Sequence, residues 1–446
     1  MSEWKKVKIG DFLTEREGRY KPDDTKISKY KRLDKIDFSG TIHISGKPTK
    51  TDMIIVHPGD LVISGINVAK GAVAVYQGNE PVCATIHYSS YTFDSSKVDL
   101  DYFKFFVKSP AFITALQKQV KGGIKTEIKP KHLLPLEISI PDLQTQREIV
   151  QKISLQLQRT EQLSLEIELQ KNYIKQLRQN ILQEAIKGKL TADWRKQNPV
   201  QKGNPDYDAE ALFEQIQKER ENEKKQKELS PITDEEKPFE IPEGWKWVRL
   251  GEICNKIEAG KSILCNEKIP SNDEIGIVKT GVCSFGKFKE NESKTCLSKN
   301  DWHDEYEIKK GDFLIGRANT LELVGSCVIV DSINKKLMLS DKILRIVFCN
   351  FVNHSFILYM MKSKFLRSQI EKSSTGSSPT MKNISQESIK NYVVPLPPLK
   401  EQDEIVNKVE TLLANVTTLE DQIQALKSLS DKLIFGIIKE NLEGNF

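Results

Sequence analysis

The chain has no long apolar run. No stretch of its 446 residues approaches 18 consecutive apolar positions, which argues against a membrane-spanning helix. The opening MSEWKKVKIG lacks the apolar core of a secretory signal. Its seven cysteines form no CxxC pair. Six of them (Cys254, Cys265, Cys283, Cys296, Cys327 and Cys349) are spaced by 11, 18, 13, 31 and 22 residues, a pattern that fits no zinc site. Reduced thiols in a cytoplasmic protein, with no metal, are the expectation. Charge of one sign is also lacking: 67 Lys and Arg against 62 Asp and Glu leave +5, too mild to name a partner.

Catalytic signatures are missing as well. EAGKS at 258–262 resembles the end of a phosphate-binding loop, but the required first glycine falls at Asn255. There is no GxGxxG opening a helix, no HExxH, no GxSxG and no calcium-binding loop. The six histidines (His43, His57, His87, His132, His303 and His354) are isolated. The aromatic-flanked Pro-Pro motif that adenine methyltransferases use to hold a flipped base is absent, since Pro395, Pro397 and Pro398 only introduce a helix. No catalytic residue is assigned.

What the chain does have is a copy of itself. ISIPDLQTQREIV at 138–150 reappears as VPLPPLKEQDEIV at 394–406. An offset of 256 carries Pro141, Leu143, Gln146, Glu148, Ile149 and Val150 onto Pro397, Leu399, Gln402, Glu404, Ile405 and Val406. The same offset takes Leu177 to Leu433 and Ile181 to Ile437. Upstream, with small gaps, Trp4, Val7, Ile9 and Gly10 match Trp245, Val248, Leu250 and Gly251, and HPGDLVIS at 57–64 matches KKGDFLIG at 309–316. A period this long is a tandem duplication rather than a solenoid.

Each copy ends in a helix. No Pro or Gly interrupts 143–187 or 399–435, and proline marks both starts. Val409, Val416, Ile423, Ser430 and Ile437 occupy heptad position a; Leu412, Leu419, Leu426, Leu433 and Glu440 occupy d. In the first copy the a row is Ile153, Thr160, Ile167, Ile174 and Ile181, and the d row is Gln156, Leu163, Gln170, Leu177 and Glu184. Neither helix is self-sufficient, and the matched seams imply packing of one on the other; an oligomerisation coil between chains is the alternative. About 45 residues of helix span roughly 65 Å. Between the copies, 191–241 is polar, with 9 basic and 13 acidic residues, and reads as a solvated connector.

Residues 1–140 and 242–395 alternate short β-rich runs (MIIVHPGDLVIS, GAVAVYQ, LEISI; IGIVKTG, GDFLIGR, GSCVIV, KILRIVF, NYVVPL) with turns. Each also holds one helix-like stretch, Asp101–Gln119 and His354–Lys372. The fold class is mixed α/β (α+β), mainly antiparallel. Charge is partitioned: 22 basic to 16 acidic residues in 1–140, 23 to 18 in 242–395, and an acidic remainder. Two basic units on a helical spacer suit a duplex with two separated sites.

The order of these parts, with IPDLQTQREIV, PPLKEQDEIV, ILQEAIKGKL and IPEGWKWVRLGEI, resembles the DNA specificity (S) subunit of type I restriction–modification systems over essentially the whole chain. Thr145-Gln146 departs from the family's common Glu-Gln. The resemblance implies target recognition domains at 1–140 and 242–395, conserved long helices at 141–190 and 396–446 packed as an antiparallel coiled coil with pseudo-two-fold symmetry, and a polar linker at 191–241. It implies double-stranded DNA with a bipartite target, two methyltransferase subunits, and restriction/translocase subunits as partners. S-adenosylmethionine, ATP and Mg2+ would belong to those partners, with no cofactor and no catalysis in this chain. A competing reading is a coiled-coil scaffold without sequence-specific DNA binding.

DNA-binding candidates follow from side-chain chemistry. Glycine, hydroxyl and lysine loops suit phosphate approach: Lys121, Gly122, Gly123, Lys125 and Thr126, then Ser374, Gly376, Ser377, Ser378, Thr380 and Lys382. The turns after the GD segments offer Asn67 and Lys70, then Arg317 and Asn319, types able to reach base edges.

Overall fold

The computed structural model describes residues 4–38, 40–46, 48–67, 72–109, 112, 114–115, 128–221, 229–284, 286–378 and 380–443. The chain divides into two compact units, Met1–Gln170 with Ile423–Phe446, and Lys171–Gln422.

In the first unit, strand Lys5–Lys8 pairs antiparallel with Glu137–Ile140, so the start and end of the repeat close on each other. Between them lies an antiparallel sheet in the order Leu13–Glu15, Tyr88–Phe93, Leu61–Ser64, Val73–Val75. A second sheet runs Ile42–Ser45, Arg32–Ile36, Val82–Thr85, Met53–Val56, with one parallel pairing, between Arg32–Ile36 and Val82–Thr85. Helix α1 (Leu100–Phe106) starts where the Asp99 carboxylate accepts the N–H groups of Asp101 and Tyr102, and it buries Tyr102, Phe103 and Phe106. The rest of the expected Asp101–Gln119 helix lies largely outside the described residues. After the single turn α2 (Pro130–Leu133) comes the long helix α3 (Leu143–Ile186), then α4 (Ala192–Gln197) and α5 (Ala209–Glu221).

The second copy repeats the plan. Lys246–Arg249 pairs with Val393–Leu396. One antiparallel sheet runs Cys254–Ala259, Ile343–Phe348, Phe313–Gly316, Cys327–Ile329, and a mixed one runs Cys265–Asn266, Ser293–Cys296, Ile275–Val278, Lys336–Met338. The single helix expected over His354–Lys372 is two, α6 (His354–Lys362) and α7 (Lys364–Ser373). Ser363 breaks it: its backbone is extended, and its hydroxyl accepts the N–H of Leu366 and donates to the Met360 carbonyl. Short α8 (Gln386–Lys390) and long α9 (Leu399–Glu443) follow.

Two repeated devices explain the repeated residues. In each GD turn the glycine takes positive φ (Gly59 86°, Gly311 92°), which a side chain would strain. The aspartate then accepts the N–H three residues back, from His57 to Asp60 and from Lys309 to Asp312, and also binds an arginine, Arg16 or Arg345. At each helix start a buried glutamine joins strand to helix. The Gln146 amide accepts the Asp99 N–H (2.8 Å) and donates to the Pro141 carbonyl (2.8 Å). Gln402 does the same with Asn353 (2.8 Å) and Pro397 (3.1 Å). Asp99 and Asn353 are themselves the caps of α1 and α6.

Within each unit α3 and α9 run antiparallel. Gln156 meets Asn441, Ser164 meets Ser430 and Glu168 meets Lys427 in the first; Arg178 meets Glu420 in the second, and just past the end of α3 the Leu190 carbonyl accepts from Lys408. The a row of both helices is buried throughout: Ile153, Thr160, Ile167, Ile174 and Ile181 against solvent on one, Val409, Val416, Ile423, Ser430 and Ile437 on the other. The d row is not. Leu163, Leu177, Leu419, Leu426 and Leu433 stay 40–49% exposed. A two-stranded coil normally buries both rows, so the contact is one row wide and an apolar stripe is left beside it.

The connector departs from its solvated reading. Ala209, Leu212 and Ile216 of α5 are fully buried, one face of a helix that is otherwise polar apart from Ala211 and Phe213. Gln217 and Arg220 donate to the Glu252 carbonyl, and Arg249 reaches back to the carbonyls of Ser230 and Pro231 and to Glu236. Glu401, which stands where the first copy has Thr145, is buried and binds Thr191, Arg195 and the Trp245 indole N–H. A single residue of the helix start thereby ties the connector to the second copy.

Candidate nucleic-acid interface

The GD strand of each copy ends in a turn, and that turn sits against the return of the later loop. In the second copy Arg317 donates its N–H to the Lys342 carbonyl (2.9 Å) and accepts the N–H of Ile384 (2.9 Å). Ala318–Asn319 then pairs with Lys382–Asn383, Asn319 opposite Lys382. Two segments more than fifty residues apart in the chain, Arg317/Asn319 and the 374–382 loop, thus form one surface. The first copy makes the same joint: Gly65 donates to the His87 carbonyl (2.9 Å) and accepts the N–H of Ile128 (2.8 Å). Gly65 stands where the second copy has Arg317, and Ile128 where it has Ile384.

The individual candidates differ in what they have free. The Arg317 guanidinium is half-buried and makes no hydrogen bond or ion pair among the described residues. The Asn319 amide is turned inward, donating to the Ser284 hydroxyl (3.2 Å) and accepting the Thr320 N–H (2.8 Å). Lys382 closes its own loop on the Gly376 carbonyl (2.6 Å), and Ser374 covers the Glu371 carbonyl (2.8 Å) at the end of α7. Ser378 and Thr380 bind each other (2.7 Å), while Ser377 is exposed. Gly376 has φ 125°, and a Cβ there would come within 2.4 Å of the Met381 carbonyl oxygen. Asn67 lies in the turn, its carbonyl accepting the Ala72 N–H (3.2 Å). Lys70, Lys121, Gly122, Gly123, Lys125 and Thr126 lie outside the described residues.

Sequence reasoning missed part of this surface. A cleft of about 330 Å³ beside the first joint is lined by Arg19, His87, Ser89 and Lys129 among others. Glu15 on its wall has its carboxyl pushed up by burial, against the opposing pull of Arg19. In the second copy Lys261 pairs with Ser340 through a single bridge, which brings the rejected EAGKS segment beside Lys342 and Arg317. The signal was the glycine: Gly260 passes so close to Leu339 that a Cβ would lie 1.9 Å from its carbonyl oxygen.

No group of three or more His, Cys, Asp or Glu side chains among the described residues is placed to hold a metal ion. Cys265 and Cys296 face each other across strands with sulfurs 3.8 Å apart, and burial pushes the Cys296 thiol up to about 12. No described helix is long and apolar enough to cross a membrane.

A family model described as type I restriction modification DNA specificity domain matches residues 1–171 and 242–428. The chain is 32% identical to the type I restriction enzyme EcoEI specificity subunit of Escherichia coli over 252 residues, covering 56% of this chain and 42% of that protein. It is 24% identical to the EcoKI specificity subunit of Escherichia coli (strain K12) over 418 residues, 90% of this chain and 80% of that one. Less than half the length of the EcoEI relative is therefore spanned. Among solved structures, the HsdS subunit from Thermoanaerobacter tengcongensis is similar at 16% identity and a TM-score of 0.54, over 99% of this chain and 97% of that one. A chain from a structure of a type I R-M system in assembly and conformational transition is similar at 16% identity and a TM-score of 0.60, over 99% and 98%. At such identities the likeness is one of fold.

Proposed function

The chain belongs to the type I restriction modification DNA specificity family, and on that premise we propose that it is a non-catalytic subunit that reads a bipartite target on double-stranded DNA, one half through each sheet-rich copy. The observation that carries this is the duplicated joint: the Gly65 and Arg317 carbonyls accept the N–H groups of Ile128 and Ile384 in the same way. Each joint assembles a surface from loops while the sheet behind it stays constant. Loops on a rigid scaffold are where recognition can vary without loss of fold. Specific readout there falls to side chains able to reach base edges, Arg317 first, and phosphate positioning to lysines, hydroxyls and backbone N–H groups.

The half-exposed d-row leucines support the partner reading. Leu419, Leu426 and Leu433 recur every seven residues along the charged helix α9, an exposed apolar row suited to a protein partner. Two methyltransferase subunits are its proposed occupants, with restriction/translocase subunits joining in the full enzyme. S-adenosylmethionine, ATP and Mg2+ are assigned to those partners, and the assembly to the cytoplasm.

The deciding experiment is methylome sequencing of a host with and without the gene for this chain. A discontinuous methylated motif that disappears with the gene is the expected result. An unchanged methylome, with the partner subunits present and active, would favour the scaffold reading instead.

A further inference from the structure

In each copy the edge strand of the antiparallel sheet runs into a glycine followed by a basic residue, Gly18–Arg19 after Leu13–Glu15 and Gly260–Lys261 after Cys254–Ala259. Strand register makes the two positions equivalent. Leu61 and Phe313 hold the same place in the GD strand, and they face Tyr91 and Ile346. Those residues in turn face Glu15 and Ile257 on the edge strand. Three residues further on lie Gly18 and Gly260. The bulge between Cys254 and Lys256 absorbs the one residue by which the copies differ.

Both glycines answer to the backbone. Gly18 has φ 127°, and Gly260 passes against Leu339 with no room for a Cβ. Gly18 leaves main chain exposed, Gly260 lets the strand press against Leu339, and each is followed by one long cation. Arg19 and Lys261 are exposed, and neither is in an ion pair among the described residues. Arg19 lies in the field of the Glu15 carboxylate without closing an ion pair on it, while Arg16 is held by Asp60 (2.6 Å) in the first copy and Glu258 by Arg345 and Lys256 (both 2.6 Å) in the second. The Lys261 ammonium lies 5.6 Å from the Tyr306 ring centroid, which leaves its N–H donors unspent.

We propose that Gly18–Arg19 and Gly260–Lys261 are one phosphate-anchoring turn, present once in each copy, that holds the DNA backbone beside the bases read at the joint. This rests on the reading of the copies as DNA-binding units. The choice of phosphate over base follows from the pair of residues found. Arginine through its fork and lysine as a point charge both supply the positive charge that a phosphate needs, whatever base lies beside it. Between Glu15 and Tyr20 in the first copy and Ile257 and Ser262 in the second, only the glycine and the cation recur, and the cation changes only its type. An anchor that carries no sequence information can remain while the readers diverge.

The test uses the chain assembled with its methyltransferase partners. Binding is measured to a duplex carrying the target and to one with the target scrambled, over a range of salt. Arg19→Ala and Lys261→Ala should each weaken both duplexes by the same factor. Each should flatten the plot of log K against log salt by about 0.9, the value for one lost phosphate contact. Lys261→Arg should restore the slope. Wild-type slopes in both alanine variants would overturn the inference while leaving the function standing, and so would a loss confined to the target duplex. A wild-type assembly with no preference for the target would overturn the reading of function and this inference with it.

Discussion

Gln402 shows how little of a repeated motif concerns its ligand. Its amide is fully buried and satisfies two main-chain groups, the Asn353 N–H at the start of α6 and the Pro397 carbonyl before α9. Gln402→Ala strands both, and a buried unsatisfied group costs about 1–3 kcal/mol. Calorimetry of the assembled protein should show the second unit melting earlier, with Gln146→Ala doing the same to the first. Gln402→Asn should not rescue it, because the shorter amide cannot span both groups. Arg317 is the opposite case, a half-buried cation with no partner to lose among the described residues. Arg317→Ala should leave stability alone and relax one base position by roughly 1–3 kcal/mol. Binding to a set of duplexes varied one base at a time checks this; an unaltered preference at every position would remove Arg317 from the readout.

At the scale of elements, the seam of α3 and α9 is one residue wide and repeats every seven residues, from Ile153 to Ile181 and from Val409 to Ile437. A narrow seam is sensitive to register. Four residues inserted near Glu168 lengthen α3 by about 6 Å but rotate everything beyond by about 40°. That rotation carries the buried row out of contact. Seven residues inserted both beside Glu168 and beside Lys427, which pair at 3.0 Å, keep every a position in place. They add about 10 Å, and at about 3.4 Å per base step the unread spacer of the target should grow by about three pairs. The half-site sequences should not change, since no reader residue moves relative to its own core. Methylome sequencing of the insertion mutant reports both, and an active mutant with its original spacer would show that the helices do not set it.

For the whole molecule, each copy begins and ends on a paired strand, Lys5–Lys8 with Glu137–Ile140 and Lys246–Arg249 with Val393–Leu396. Exchange of residues 1–140 for the equivalent segment of a relative should therefore change one half of the methylated motif and leave the other. The first core also takes in Ile153, Ile437 and Leu442 from the helices. A donor segment must present an apolar face to those three residues, or the exchange will fail through stability before recognition is tested. Simultaneous change of both half-motifs would contradict independent readers.

The sequence by itself determined what is local or periodic. Short β-rich runs between turns placed the strands Met53–Val56, Leu61–Ser64, Phe313–Gly316 and Ile343–Phe348. The absence of Pro and Gly placed α3 and most of α9, which continues through Gly436, and the heptad marked the two rows that could be buried. Each of these signals is written within a few turns of chain, and the duplication wrote it twice. Tertiary structure decided whatever depends on residues far apart in the chain. It chose a over d as the contact row, because which row is covered depends on the facing helix and on what else packs there. It buried one face of α5, whose Ala209, Leu212 and Ile216 are too few to stand out in the segment until Glu252 and Lys246 arrive beside it. It made Glu401 a buried ion-pair partner of Arg195, over two hundred residues away, where sequence comparison saw only a helix start. It also moved the glycine–basic turn from a failed nucleotide motif to the edge of a candidate DNA surface. A glycine shows in sequence that the backbone needs room, but only the fold shows which neighbour takes it.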